Sequence, residues 1–72
     1  MKLIVGVTGA SGTIYALRLL EALRDRGIES VLIMSGNGEA IAKYELGEEG
    51  PRRMRELSSE AYPNDFRCPY VS

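Results

Sequence analysis

The sequence predicts an α/β domain built on parallel strands, and three observations carry that prediction. An unalternating apolar run, Leu3-Ile4-Val5-Gly6-Val7, opens the chain, as expected of a strand covered on both faces. A glycine-punctuated turn and an amphipathic stretch follow it. A second apolar run then completes strand, helix and strand within about 33 residues, the span of one βαβ unit, whose two strands are parallel.

Taken in order, Lys2 to Val7 reads as the first strand and Thr8 to Gly12 as the loop that leaves it. Thr13 to Arg26 reads as a helix, because Ala16, Leu17, Leu20 and Leu23 form one stripe while Arg18, Glu21 and Asp25 lie opposite. Gly27 is placed to end that helix in the left-handed conformation, with Arg24 and Arg26 in the last turn against the dipole. Glu29 to Met34 is the second strand and Ser35 to Gly38 the second loop. Ala40, Ile41 and Tyr44 recur at helical spacing, which predicts a second helix over Glu39 to Leu46. Gly47 to Pro51 breaks it, and Met54, Leu57 and Ala61 predict a weaker third helix over Arg52 to Tyr62. The remainder, with Pro63 and Pro69, reads as a loop leading toward a third strand near Tyr70. Two strands cover their own faces and edges poorly. The chain is therefore expected to be the first part of a larger α/β domain, or to associate.

Composition narrows the function classes. The chain has 72 residues, enough for one small domain, with nine basic and ten acidic residues and a formal net charge of −1. That balance offers no basic footprint for nucleic acid. No apolar stretch approaches the roughly 18 residues of a membrane span. Histidine is absent and Cys68 is the single cysteine, so neither an internal disulfide nor a zinc cluster is expected, and a reducing, cytoplasmic compartment fits.

The loop Thr8-Gly9-Ala10-Ser11-Gly12 is where chemistry is expected. A strand-to-helix junction points backbone N–H groups outward, and the helix dipole adds positive potential, so an anion is favoured there. Glycine lets a phosphate approach the backbone, and Thr8 and Ser11 add hydroxyls. A tight βα turn with an N-capping serine is the plainer alternative. Dinucleotide fingerprints fit badly: Val7 stands where G-x-G-x-x-G needs its first glycine, and Tyr15 where T-G-x-x-G-x-x-G needs its last. Ile33, Met34 and Ser35 end the second strand, where a nicotinamide site needs an acid for the ribose. No G-K-[ST] follows, so a Walker loop is excluded. What remains is a site for a mononucleotide phosphate. Ser35 supports it from the end of the second strand, beside the loop if the strands are neighbours; it is also a candidate helix N-cap, and the two roles are compatible.

The run from Met1 to Ser35 closely resembles the start of the UbiX-type flavin prenyltransferases, in Thr8 to Gly12, Ile14, Tyr15, Arg18 to Leu23 and Ser35. Tyr44-Glu45-Leu46-Gly47, Ala61 to Phe66 and Cys68 to Ser72 resemble later stretches of the same family. The resemblance implies a flavodoxin-like Rossmann fold that binds FMN. It also implies transfer of a dimethylallyl group from dimethylallyl phosphate to N5 and C6 of reduced FMN, without a metal, to make the cofactor of a partner decarboxylase. By position, Gly9, Ala10, Ser11 and Ser35 would hold the flavin, and Ser11 and Glu45 would be catalytic, Glu45 handling a proton from a partly buried position. A homo-oligomer is expected. Taken without the resemblance, Glu45 reads as a solvated helix residue.

Two departures stand out. The family pattern S-K-A-A is here Ser35-Gly36-Asn37-Gly38, and Leu46 replaces a threonine. The family also continues into further strands, a second flavin loop and phosphate-binding residues, so the chain is expected to carry the N-terminal portion of one FMN-binding domain. Two rival readings are a flavin-dependent cysteine decarboxylase of the same fold, which needs a histidine, and a truncated, non-catalytic fragment that only associates. Tyr15 is expected to pack the first helix, Cys68 to be structural or idle, and Arg52, Arg53 and Arg55 to lie on a charged surface.

Overall fold

The structure, a computed structural model, describes residues 2–9, 12–65 and 67–70. Its elements are β1 (Lys2–Val7), α1 (Thr13–Asp25), β2 (Glu29–Met34), α2 (Gly36–Leu46), α3 (Gly50–Leu57) and β3 (Glu60–Pro63). The three strands are parallel in the order β1-β2-β3, with Val7 opposite Met34 and Met34 opposite Pro63. Their carboxyl ends therefore lie along one edge of the sheet, the edge at which open α/β sheets bind ligands.

Both crossovers step the same way across the sheet, and crossovers of one hand then fall on one face. The helices pack together there. Val5, Val7, Leu32 and Met34 face them and join Leu20, Leu23, Ala42, Met54 and Leu57 in the main core. On the opposite face, Val31 and Ile33 pack with Tyr62 and the buried Cys68. Ile4 on that face is 55% exposed, and the outer edge of β1 pairs with nothing among the described residues. No helix among the described residues is long and apolar enough to cross a membrane.

Local signals explain most boundaries. Gly27 has φ +69°, the Gly27 N–H donates to the Arg24 carbonyl, and the Ile28 N–H donates to that of Leu23, the double bond of a Schellman end. That end comes one residue before the expected one. The second helix begins three residues earlier than its apolar spacing predicts, because Ser35 caps it at Gly36. Pro51 starts α3, where a missing N–H costs nothing.

The expected third helix is corrected most. It ends at Leu57, and Glu60–Pro63 forms a strand that pairs with Val31–Met34. The Ser59 N–H donates to the Ser30 carbonyl, and the Ser59 hydroxyl accepts from the Ser30 N–H, steering the chain onto the sheet edge. Ala61 and Tyr62 thus belong to β3, and the third strand lies at 60–63 rather than near Tyr70. Tyr15, expected to pack, is 78% exposed, because it falls outside the stripe that α1 turns to the sheet.

Candidate functional site

The glycine loop and Ser35 meet at the carboxyl edge of β1 and β2. Parallel pairing in register brings Ser35 beside the end of β1, where its N–H donates to the Val7 carbonyl at 3.0 Å. The Ser35 hydroxyl donates to the Thr8 carbonyl at 3.1 Å and accepts from the Gly38 N–H at 3.0 Å. It thus caps α2 and ties α2 to the loop at once. Gly9 has φ +150° and Gly12 φ +99°, so both bends of the loop use backbone that side-chain-bearing residues disfavour. A Cβ on Gly9 would stand 3.1 Å from the Asn37 Cβ. Ala10 and Ser11, the other two predicted flavin contacts, lie outside the described residues.

The start of α1 has a second partner. Its N-cap is Gly12, which has no side chain to offer, and no acidic residue stands in the first turn. Glu45, in the last turn of α2, takes the place of a cap: its Oε1 accepts from the Thr13 N–H at 3.1 Å and from the Thr13 hydroxyl at 2.5 Å. Those bonds, the hydroxyl first, hold the Glu45 carboxyl below the usual carboxylate range. Glu45 is exposed, where a partly buried acid was expected, while Thr13 is buried.

Helix α2 therefore spans the glycine loop. Its first turn touches the end of β1, and its last turn reaches the start of α1. Gly38 makes the near contact possible, since a Cβ there would lie 2.3 Å from the Val7 carbonyl oxygen. The departure from the family pattern at Gly38 thus has a physical counterpart in closer packing of α2 on β1.

On the other side of Ser35, a cleft of about 530 Å³ lies over β2 and β3, lined by Ser35, Gly36, Glu39, Arg55, Asn64 and Arg67 among others. Its arginines are engaged: Arg55 pairs with Glu39, whose carboxyl it holds low, and Arg67 pairs with Asp65. Arg52 and Arg53 pair with Glu49 and Glu21 on the surface, as expected of a charged face. Thr13, the partner of Glu45, is the residue of this junction that sequence reasoning missed. No local sequence signal points to it; the helix start lacks a side-chain cap only in the structure.

The geometry thus places a glycine-bearing strand-to-helix junction at the edge of a parallel sheet, with Ser35 on one side and the Glu45 carboxylate on the other. Comparison with known proteins gives that arrangement a family. The Flavoprotein family model matches residues 1–66, and the chain belongs to that family. It is 48% identical to the flavin prenyltransferase UbiX of Methanocaldococcus jannaschii, over all of this chain and 39% of that protein. Two solved structures share the fold at TM-score 0.81. One is AnUbiX (PadA1) in complex with FMN and dimethylallyl pyrophosphate, at 35% identity over 94% of this chain and 36% of the other. The second is a dodecameric FMN-dependent UbiX-like decarboxylase from Escherichia coli O157:H7, at 32% identity over 94% and 37%. The chain spans well under half the length of each.

Proposed function

We propose that the chain is the FMN-holding portion of a flavin prenyltransferase. The observation that carries this reading is the bond from Ser35 to Thr8, which holds one predicted flavin contact against the residue preceding another, Gly9. Gly9 and Gly12, both at positive φ, carry no Cβ that would keep a phosphate from their backbone, which supports FMN as the ligand. Gly9, Ala10 and Ser11 would hold the cofactor through backbone and hydroxyl donors. Ser35 would join them by turning its hydroxyl from Thr8. When bound, reduced FMN supplies the N5 and C6 atoms that receive the dimethylallyl group. Glu45, whose ionised form the Thr13 bonds favour, would serve as a proton acceptor, and Ser11 would act at the donor's phosphate. The donor is dimethylallyl phosphate, and the prenylated product passes to a partner decarboxylase. The chain works in the cytoplasm as part of a homo-oligomer, an assembly supported by the dodecameric neighbour.

Titration of the purified chain with FMN, read by flavin fluorescence, tests the site. Saturable binding that weakens at least tenfold in Gly9→Ala is expected; absence of saturable binding in the unmodified chain refutes it. Anaerobic incubation with reduced FMN and either dimethylallyl phosphate or the pyrophosphate, with mass analysis of the flavin, identifies the donor. The decarboxylase neighbour favours one second reading, a flavin-dependent decarboxylase of the same fold. Carbon dioxide release from a cysteine substrate without any prenyl donor would establish that alternative.

A further inference from the structure

We propose that Thr13 is a positioning residue that fixes the Glu45 carboxylate at the start of α1 through two hydrogen bonds to Oε1. The proposal rests on the reading above only in taking Glu45 as the proton acceptor.

Four observations meet at this point. The Thr13 side chain is 2% exposed, so its hydroxyl needs a partner inside the protein, and its 2.5 Å bond to Glu45 Oε1 supplies one. The Thr13 N–H donates to the same oxygen at 3.1 Å, so Oε1 holds two donors from one residue. Gly12 and the first turn of α1 offer no cap of their own, so the carboxylate fills a place that the local sequence leaves open. Finally, α2 is anchored at its other end by Ser35 and Gly38 against Thr8 and Val7, which limits how far Glu45 can move from Thr13.

The consequence is a carboxylate held in one orientation. Two donors on Oε1 favour the ionised form and fix the plane of the group. An exposed glutamate without them would sample several rotamers, and each turnover would pay to restore the productive one. From α1, Glu45 is faced by the Thr13 hydroxyl and by the amides of Gly12 and Thr13. Among the described residues it forms no ion pair, so no neighbouring charge duplicates the effect.

The test compares Thr13→Val, which keeps the shape and loses the hydroxyl, with Thr13→Ser, which keeps the hydroxyl. The first readout needs no flavin: the Glu45 carboxyl carbon is titrated by NMR. Thr13→Val is expected to move its midpoint to higher pH, and Thr13→Ser to leave it near that of the unmodified chain. The second readout is prenyl transfer. Thr13→Val should lower kcat about tenfold, with KM for the donor within about twofold, the pattern of a residue that acts only on the chemical step. Thr13→Ser should restore kcat. An unchanged Glu45 midpoint in Thr13→Val overturns the proposal, as does an unchanged kcat. Unmodified protein that binds no FMN overturns the flavin reading instead, and the titration still decides whether Thr13 positions Glu45. If Thr13→Val does not fold, Thr13→Ala against Thr13→Ser makes the same comparison.

Discussion

Replacing Gly38 with alanine should destabilise the fold, although the same change two residues earlier should stabilise it. Both glycines lie in the first turn of α2, and neither has a positive φ. At Gly36 nothing stands within 4 Å of a built Cβ. Gly36→Ala should therefore gain about 0.4–1 kcal/mol, chiefly by restricting the unfolded chain. At Gly38 the Cβ would meet the Val7 carbonyl oxygen at 2.3 Å and carbon at 2.8 Å. These are backbone atoms of a paired strand, so no rotamer change relieves the contact. Overpacking of this kind costs about 1–3 kcal/mol. The helix must also lift from Ser35, whose cap bond to the Gly38 N–H contributes about 1 kcal/mol. The better helix propensity of alanine returns about 1 kcal/mol. The net loss is about 1–3 kcal/mol, or roughly 5–20 °C in Tm for a domain of this size. Urea unfolding followed by circular dichroism measures both variants. A Gly38→Ala protein as stable as the unmodified chain would refute the packing argument, whatever Gly36→Ala does.

Other outcomes follow from the same contacts. Leu20 is fully buried and Leu19 is 46% exposed, so Leu20→Ala should cost about 2–5 kcal/mol and Leu19→Ala far less, by urea unfolding. Ser35→Ala removes the cap of α2 and its tie to Thr8, for a loss of about 1 kcal/mol, and should weaken FMN retention in the fluorescence titration. Glu39, Glu45, Glu60 and Asp65 are all held below their ordinary carboxylate values. Lowered native values mean stability that is present above the unfolded range and lost as pH falls through the native one. Thermal melts should thus be flat from about pH 7 to 5 and decline below about pH 4. A Tm that holds steady to pH 3 would contradict those pairings.

The first half of the fold was legible because its signals are local. The apolar runs of β1 and β2 are bounded by Gly9 and Gly27 and by Ser35, and both strands lie where the sequence places them. Beyond Leu57, local pattern loses to tertiary pairing. The stretch Glu60-Ala61-Tyr62-Pro63 has no strand periodicity to speak of, and it extends because β2 offers a free edge and Ser59 hands it over. At the site, Ser35 beside the glycine loop followed from the rule that parallel strands gather their exits at one edge. Its two hydrogen bonds, one to Thr8 and one from Gly38, make it the cap that the sequence offered and tie that cap to the loop. The Glu45–Thr13 contact was out of reach, because it depends on the direction in which α2 crosses the loop. No periodicity encodes that direction; the close approach at Gly38 does.

The bare flank of β1 has a consequence for handling the protein. Among the described residues the outer edge of this six-residue strand, about 20 Å long, is unpaired, and every second residue turns its amide and carbonyl to it beside the exposed Ile4. Such a border templates any extended backbone that drifts against it, so its appetite grows with concentration.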